Sequence, residues 1–185
     1  INSVINSQAV LDKHGSRRVN VYCIPMVMSK GGAGMVAIRW GAQGPSYSPA
    51  SACATSNDAV GQAFQLIKRG AANAMITGGS DATVVKLGMS GFDQLTALSH
   101  DNTLPSTSPR PFDKHRDGLV VGEGACVLIL EELEFALARG ANILAEICGY
   151  GQTNDAHHVV APAEGGAGAA RAIRKAIAES GLAPT

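Results

Sequence analysis

Aromatic residues are scarce in this sequence, since Phe, Trp and Tyr together make up 4% of its 185 residues. Charge is sparse and balanced as well: 15 Lys and Arg stand against 15 Asp and Glu, with no basic run and no interleaving of basic and aromatic residues. Nucleic-acid binding therefore has little support. The apolar stretches are all interrupted well short of the length that a membrane-spanning helix needs, so the sequence does not indicate a membrane protein either.

Cysteine occurs at only four positions, 23, 53, 126 and 148, which lie too far apart for a CxxC zinc motif or a disulfide framework. A reducing compartment is therefore the default, and we predict a cytoplasmic protein. The neighbouring His157 and His158 do not predict a metal site. Consecutive residues of an extended chain point in opposite directions, and no further Cys, Asp or Glu completes a ligand set.

What the sequence does contain is small aliphatic residues and glycine. Hydrophobic residues make up 45% of the chain and glycine occupies 22 positions, which predicts a globular protein with a closely packed aliphatic core. Helical and extended patterns alternate, as is typical of an α/β fold in which helices cover a mainly parallel sheet. We predict strands at 47–52, 74–77, 126–130 and 144–150, helices at 31–40, 54–69, 131–139 and 167–180, and irregular chain at 1–30 and 98–118.

Two features predict that this sequence is part of a longer one. It begins with Ile1 rather than a methionine, and only a few residues follow the helix predicted at 167–180. A crossover helix without a following strand leaves a βαβ unit incomplete. We therefore expect the chain to be cut at both ends.

Cys53 lies between the predicted strand at 47–52 and the helix that follows it. Unpaired backbone N–H groups converge at the start of a helix, and the helix dipole favours a thiolate there, which makes the sulfur a usable nucleophile near neutral pH. Ala52 and Ala54 leave room for an acyl group and for an N–H directed at a developing oxyanion. The alternative, from position alone, is that Cys53 is one more small buried hydrophobic residue.

Three ordered blocks of sequence resemble the β-ketoacyl-[acyl-carrier-protein] synthases, and most closely the discrete, elongating type II enzymes. The blocks are GP at 44–45 with SACAT at 51–55 and MITGG at 75–79, then RPFDKHRDG at 110–118 with GEGA at 122–125, and finally NDAHH at 154–158 with AP at 161–162. Their order and spacing fit along nearly all of the 185 residues. Three ordered blocks are far more specific than any single motif.

The resemblance implies a thiolase-like α/β fold that is incomplete here, with part of the N-terminal synthase domain at 1–135 and the start of the C-terminal domain at 136–185. It implies that Cys53 takes an acyl group from acyl-carrier-protein as a thioester. Malonyl-carrier-protein then loses carbon dioxide, and the resulting carbanion attacks that thioester to give a 3-oxoacyl product. The resemblance implies a homodimer and no metal or organic cofactor, since the phosphopantetheine arm belongs to the carrier protein.

Three further residues match positions near the substrate pocket of similar enzymes: Phe92, Asp155 and His158. Phe92 would lie near the acyl chain, Asp155 would tie catalytic loops together, and His158 would border the pocket. The alternatives are a core role for Phe92, and loop polar groups satisfied by local backbone for Asp155 and His158.

The sequence also departs from the family pattern. The family pairs its cysteine with two histidines and a lysine, in motifs that would lie beyond residue 185. None of the five histidines present here sits in such a motif. We therefore expect the chain by itself to be inactive in condensation.

Other functions remain open at this point. A polyketide-type ketosynthase runs the same chemistry, although its modular forms usually show a Cys-Ser-Ser run that is missing after Cys53. A degradative thiolase is disfavoured, because the Arg-Pro-Phe-Asp block belongs with the synthases. A non-catalytic, chain-length-factor-like partner subunit would share the fold, but such partners typically lose the cysteine.

Overall fold

The computed structural model describes residues 1–183, and the chain divides into two compact units. The first unit consists of Ile1–Ala42 and Ser80–Ala125, and the second consists of Gln43–Gly79 and the chain from Cys126 onward. No helix within the described residues is both long and apolar enough to cross a membrane.

The first unit is mainly helical. Helix α3 confirms the prediction at 31–40, and it ends where Gly41 takes the left-handed conformation with φ of 64°. The predicted irregular stretch at 98–118 contains one 3₁₀ turn, Pro105–Thr107, and an isolated β-bridge pairs Leu98 with Leu119. The helices of this unit are α1 (Asn2–His14), α2 (Cys23–Val27), α3 (Gly31–Trp40) and α5 (Lys86–Gln94).

The prediction that residues 1–30 are irregular was wrong, because two helices form there. Helix α1 is polar on most of its surface and is supported by a side-chain bond of 2.7 Å from Gln8 to Asp12, four residues apart. Helix α2 contains Pro25 as its third residue, and proline is tolerated in a first turn because the N–H groups there have no intrahelical acceptor. Pro25 therefore lies in the first turn of a helix, whereas the sequence pattern had indicated irregular chain there.

Arg110 ties down the long irregular segment of the first unit. Its Nη2 lies 3.2 Å from Oδ2 of Asp101 and 3.3 Å from Oδ1 of Asp117, while its Nε donates to the carbonyl of His115 at 2.9 Å. One guanidinium thus joins three points of the loop with charge-assisted hydrogen bonds. This arrangement lowers the pKa of both carboxyls, for Asp101 mainly through its bonds from Thr103 and for Asp117 mainly through Ser99.

Strands β1 (Ala74–Asp81) and β2 (Gly124–Glu131), most of whose residues belong to the second unit, pair in a two-stranded sheet. The N–H of Glu132 donates to the carbonyl of Asn73 at 2.9 Å, and the backbone of Gly78 lies against Cys126 and Val127. Residue numbers therefore rise along one strand as they fall along the other, so the pair is antiparallel. The expectation of a parallel sheet is wrong for this pair.

The strands predicted at 74–77 and 126–130 exist and are longer than predicted, because β1 continues through Gly78 and Gly79. Only Thr77 is buried in β1, and the apolar side chains of β2 are largely exposed. Within the described residues, the strands predicted at 47–52 and 144–150 do not form. One N–H in each of these segments donates to a side chain: that of Ser51 to Thr55 and that of Tyr150 to Glu179.

Helix α4 (Thr55–Lys68) confirms the helix predicted at 54–69, with Gly70 left-handed just after it. The predicted apolar face of Val60, Phe64 and Ile67 is only half-buried. The residues that are buried are Asp58, Gly61, Ala63 and Leu66. The reason is Tyr150, whose ring lies directly on Gly61, where any Cβ would collide with it. The contact needs a glycine, so small residues rather than large ones define the packed face.

The two remaining helices follow their sequence signals. Helix α6 (Leu133–Ala138) starts later than predicted because Glu131 still belongs to β2, and the side chain of Glu132 caps it by accepting the Phe135 N–H at 2.7 Å. Helix α7 (Ala167–Ser180) has the predicted bounds and ends at a left-handed Gly181.

Glu179 of α7 connects three parts of the second unit. Its Oε1 lies 2.9 Å from Lys68 Nζ and 2.6 Å from Gln65 Nε2, both on α4, and its Oε2 accepts the Tyr150 N–H at 2.9 Å. These donors, with Lys68 first, lower the pKa of Glu179 to about 2. The folded protein therefore stabilises the ionised form of the Glu179 carboxyl.

This arrangement predicts a specific loss of stability in acid. Because the pKa of Glu179 is lower in the folded protein than its ordinary value of 4.5, its contribution is present above pH 4.5 and is lost as pH falls toward 2. Glu179→Gln should lower the free energy of unfolding at pH 7 and flatten its pH dependence in that window, as measured by urea denaturation at a series of pH values. The control is Glu164→Gln, which removes an exposed carboxylate; identical slopes for the two variants would contradict the assignment.

Candidate active site

Cys53 lies in a tight 3₁₀ turn, Ala52–Ala54, that leads directly into α4. Ala52 has φ of 50°, a left-handed conformation that is costly for a residue with a Cβ. The turn closes with a bond of 3.1 Å from the Ala54 N–H to the Ser51 carbonyl. Such a strained turn before a helix is the geometry that projects a nucleophile away from the backbone.

The side chain of Thr55 fastens this turn. Its Oγ1 accepts the N–H of Ser51 at 2.9 Å and donates to the carbonyl of Ala52 at 2.8 Å. Neither of these bonds, nor the backbone bond that closes the turn, uses the N–H of Cys53.

The thiol of Cys53 is exposed, and the residue precedes a 14-residue helix by two positions. The prediction that the cysteine lies at the start of a helix is therefore confirmed, whereas the strand expected before it is replaced by an extended segment without strand pairing. The alternative that Cys53 is a buried hydrophobic residue does not fit its exposure. A thiol that is exposed at a helix N-terminus has the setting of a reactive cysteine.

Behind the turn, the first residues of α4 pack against β1 through glycine. Ser56 lies directly against Gly79, where a Cβ would collide with its Oγ. Gly78, with φ of 147°, likewise has Cys126 so close that no side chain fits. The Gly78-Gly79 pair thus lets the strand approach both its neighbour and the start of α4, which sets the position of the turn that carries Cys53.

Asp58 is the buried charge of this region, with 5% of its surface exposed. Its Oδ1 accepts the hydroxyl of Tyr150 at 2.7 Å and its Oδ2 accepts the amide of Gln152 at 2.8 Å. The pKa of Asp58 is held below its ordinary value by the polar groups around it, the hydroxyl of Ser51 first and then that of Tyr150. The Oγ of Ser51 itself is buried without a hydrogen-bond partner. The pKa of Tyr150 is raised to about 12 by burial and by this carboxylate, so its hydroxyl remains a donor.

Sequence reasoning missed Asp58. One signal was available, because an aspartate that shares a helical face with Gly61 and Leu66 must either face solvent or find buried donors. The donors come from residues 150 and 152, more than 90 positions away. Nothing local in the sequence identifies them.

The three predicted pocket residues have defined surroundings. Phe92 is a half-buried residue of α5 in the first unit. Asp155 accepts the Ala163 N–H at 2.9 Å, and its other oxygen lies against Gly168 at the start of α7. His158 is exposed, and its Nδ1 accepts the N–H groups of Val160 and Ala161 at 3.1 and 3.0 Å. In the part of the chain that is described, no hydrogen bond joins Asp155 or His158 to Cys53, and their pocket roles stay predictions.

The other three cysteines, Cys23, Cys126 and Cys148, are free thiols. Cys126 is exposed on β2, whereas Cys23 and Cys148 are half-buried. Of the four, only Cys53 stands at the start of a long helix. Across residues 1–183, no group of three or more His, Cys, Asp or Glu side chains is arranged to hold a metal ion.

The bonds of Thr55 predict a graded effect of substitution. Thr55→Val keeps the shape but removes both bonds, and it should lower the free energy of unfolding by about 1–2 kcal/mol. Thr55→Ser retains the hydroxyl and is the matched control, expected to be near wild type. Urea denaturation of both variants checks this, and equal stability of the Val and Ser variants would show that the two bonds do not hold the turn.

Comparison with known proteins places the geometry in a family. The family model for the β-ketoacyl synthase N-terminal domain matches residues 2–136, and the model for the β-ketoacyl synthase C-terminal domain matches residues 144–185. A 3-oxoacyl-[acyl-carrier-protein] synthase 2 from Synechocystis is 47% identical over 97% of this chain and 43% of its own length. A protein of the same name from Staphylococcus aureus is 45% identical over 97% of this chain and 44% of its own.

Solved structures agree with the sequence comparison. A β-ketoacyl synthase from Burkholderia phymatum superposes with a TM-score of 0.87 at 37% identity, over 96% of this chain and 43% of that one. A type II polyketide ketosynthase, solved in complex with its acyl-carrier protein, superposes with a TM-score of 0.91 at 29% identity, over 98% of this chain and 46% of that one.

The chain therefore spans less than half the length of the relatives that it matches. Its fold is the thiolase-like α/β fold of the ketosynthases, present in part. The matched family models, the identities and the superpositions agree, and the chain belongs to the β-ketoacyl synthase family.

Proposed function

We propose that this chain carries the nucleophile of an elongating 3-oxoacyl-[acyl-carrier-protein] synthase of fatty-acid synthesis. The observation that carries the proposal is the exposed Cys53 in a strained turn at the start of α4, in a chain of this family. Residues 1–135 would belong to the N-terminal synthase domain and 136–185 would begin the C-terminal one. The family models matched at 2–136 and 144–185 support this division.

In the first stage, the thiolate of Cys53 attacks the carbonyl carbon of an acyl thioester on the carrier protein. A sulfur–carbon bond forms, the bond to the carrier's phosphopantetheine sulfur breaks, and the carrier leaves as its thiolate. In this proposal, the backbone N–H of Cys53 stabilises the oxyanion that develops between these events. The phosphopantetheine arm is part of the carrier, so the acyl group arrives with its own tether.

In the second stage, malonyl-carrier-protein loses carbon dioxide and leaves a carbanion at its α-carbon. That carbon attacks the thioester carbonyl on Cys53, the new carbon–carbon bond forms, and the thiolate of Cys53 is expelled. The product is a 3-oxoacyl group on the second carrier, and the enzyme is ready for another cycle. The histidine and lysine motifs that the family uses for this stage are not among the 185 residues, which supports the expectation that the chain alone does not condense substrates.

Polyketide synthesis is the second candidate function, because the superposition with a polyketide ketosynthase reaches a TM-score of 0.91. Sequence favours fatty-acid synthesis: that ketosynthase is 29% identical, whereas the relatives named 3-oxoacyl-[acyl-carrier-protein] synthase 2 are 45–47% identical. A chain-length-factor-like partner subunit is disfavoured by the presence of Cys53. The homodimer and the cytoplasmic location expected from the sequence belong to the same proposal.

The acidic carrier protein needs a basic surface to approach, and the sequence contains two basic pairs, Arg17-Arg18 and Lys68-Arg69. Lys68 is engaged, since it is paired with Glu179 at 2.9 Å and lies over the Phe64 ring at 5.3 Å. Arg17 and Arg18 are exposed in the 3₁₀ turn after α1, whose last turn adds Lys13. We therefore assign the carrier approach to Arg17 and Arg18, where positive charge is concentrated and accessible.

Acyl transfer to Cys53 tests the main proposal. The complete protein that carries this sequence, incubated with acyl-carrier-protein, should gain one acyl group on Cys53 by peptide mass spectrometry. Cys53→Ala should abolish labelling and reduce condensation by at least about 10³-fold, because the covalent step is lost. Cys126→Ala, which removes another exposed thiol, is the control. Labelling at another cysteine, or full activity of Cys53→Ala, would overturn the assignment.

Charge reversal tests the carrier surface. Arg17→Glu and Arg18→Glu should each raise the KM for acyl-carrier-protein by roughly 3- to 10-fold with kcat unchanged, and the effect should shrink in high salt. Arg69→Glu reverses a charge in the other basic pair and should leave KM near wild type. Steady-state kinetics at two salt concentrations measures this, and an equal rise for Arg69→Glu would speak against the assignment.

A further inference from the structure

The buried carboxylate of Asp58 holds a distant segment of the chain against α4. Asp58 is the fourth residue of that helix, about one turn from its start. Its Oδ1 accepts the Tyr150 hydroxyl at 2.7 Å, and its Oδ2 accepts the Gln152 amide at 2.8 Å. A charge with 5% of its surface exposed is tolerated only when donors meet it. These two bonds therefore fix the anchor segment, residues 150–152, beside the beginning of α4.

The anchor segment and its neighbours run along α7 in the direction opposite to that helix. Three successive contacts show this, and at the two glycines the helix carbonyl lies where a Cβ would stand. In order along the segment, the pairs are Gly149 with the Ala176 carbonyl, Gly151 with the Ala172 carbonyl, and Thr153, whose hydroxyl donates to the Gly168 carbonyl at 2.8 Å. The chain after the anchor segment is thereby led to the start of α7.

Helices α4 and α7 consequently begin at the same end of the second unit. Asp58, near the beginning of α4, and the first half of α7 both contact the anchor segment. At the other end of the pair, Glu179 of α7 lies 2.9 Å from Lys68 of α4. Because the helices run the same way, the chain that precedes α7 stands at the end of the unit where the thiol of Cys53 is exposed.

The chain that precedes α7 contains the 153–163 loop, which has hydrogen bonds of its own. Asp155 accepts the Ala163 N–H at 2.9 Å, and Nδ1 of His158 accepts two backbone N–H groups at 3.1 and 3.0 Å. These bonds set the shape of the loop. Its position relative to α4 depends on the anchor segment, from which the loop continues, and that segment is bonded to α4 through Asp58.

We propose that Asp58 is a positioning residue that sets where the 153–163 loop stands relative to Cys53. It acts through Tyr150 and Gln152 and touches no substrate. The inference rests on the proposed function, with Asp155 and His158 of this loop bordering the space that receives the acyl-carrying arm. A displaced loop weakens productive docking of that arm, because the arm must meet the loop and the thiol together, and it leaves the thiol itself unchanged.

Two substitutions break the link. Gln152→Met keeps the length of the side chain and removes the donor, whereas Asp58→Asn removes the charge. In the complete protein, each should raise the KM for acyl-carrier-protein by roughly 3- to 10-fold. Alkylation of Cys53 by iodoacetamide, a small reagent that needs no loop, should keep its wild-type rate. Hydrogen–deuterium exchange of peptides covering residues 150–163 should be faster by roughly 10-fold.

Reversal of the pair provides a rescue. In the double variant Asp58→Asn with Gln152→Glu, the amide at position 58 donates to the carboxylate at position 152, where the native side chain is exposed and a charge stays hydrated. The double variant should return the KM and the exchange rate to near the wild-type values. A double variant no better than Asp58→Asn alone would overturn the proposal.

Glu179→Gln is the matched structural control. It removes a charge that accepts the Tyr150 N–H and pairs with Lys68, and it leaves both bonds of Asp58 in place. We expect it to lower the Tm with the KM unchanged. A rise in KM equal to that of Gln152→Met would show that KM only follows stability, and the proposal would be overturned. Should Asp58→Asn fail to fold, Gln152→Met decides, since it alters an exposed residue.

Hydrogen exchange does not require acyl transfer, so the two proposals fail separately. A complete protein that never acylates Cys53, but whose loop exchange depends on Gln152, would sink the proposed function and leave the link between Asp58 and the loop intact. An active protein in which Gln152→Met changes neither the KM nor the exchange of residues 150–163 would overturn the link and leave the proposed function standing.

Discussion

The packing of α4 against the segment at 150–152 is the constraint on which the second unit depends. The ring of Tyr150 lies on Gly61, its hydroxyl reaches the buried Asp58, and its N–H reaches Glu179 of α7. One residue thereby joins two helices and a chain segment distant in sequence. The cost of burying the Asp58 carboxylate is offset because its donors also fix where α4 lies. This packing also fixes the position of the turn Ala52–Ala54, since that turn is continuous with α4.

The left-handed backbone of Ala52 is strained, and it persists because the residues around it hold the turn rigidly. A cysteine reacts with a thioester faster when a backbone N–H next to its sulfur stabilises the oxyanion, and a tight turn before a helix is one way to bring the two together. Such a turn is costly in isolation. Thr55 from within the helix, and the Gly79 approach to Ser56 from the neighbouring strand, hold it in place. The contacts that stabilise this region therefore also fix the geometry of the turn that carries Cys53.

Local signals predicted much of the fold. Helices α3, α4 and α7 were located correctly because each combines an apolar pattern with a terminal glycine, as Gly41, Gly70 and Gly181 illustrate. The misses have physical causes. Helix α1 carries little apolar pattern, and Pro25 occupies a first turn where proline is tolerated. The segments at 47–52 and 144–150 have extended character, but a strand also needs a neighbouring strand, and one N–H in each of them bonds to a side chain.

By itself, the sequence determined the family and the candidate nucleophile Cys53, with its place at the start of a helix, because the residues around Cys53 and the three family blocks are written in the order of the chain. The tertiary structure alone decided what lies behind that cysteine. Neither the left-handed Ala52 nor the burial of Asp58 under Tyr150 and Gln152 can be read from a motif. The burial of Asp58 depends on residues that are distant in sequence and meet it only when the chain folds, since a buried charge is stable only where the surrounding structure supplies donors. The left-handed Ala52 likewise persists only because the folded surroundings hold it.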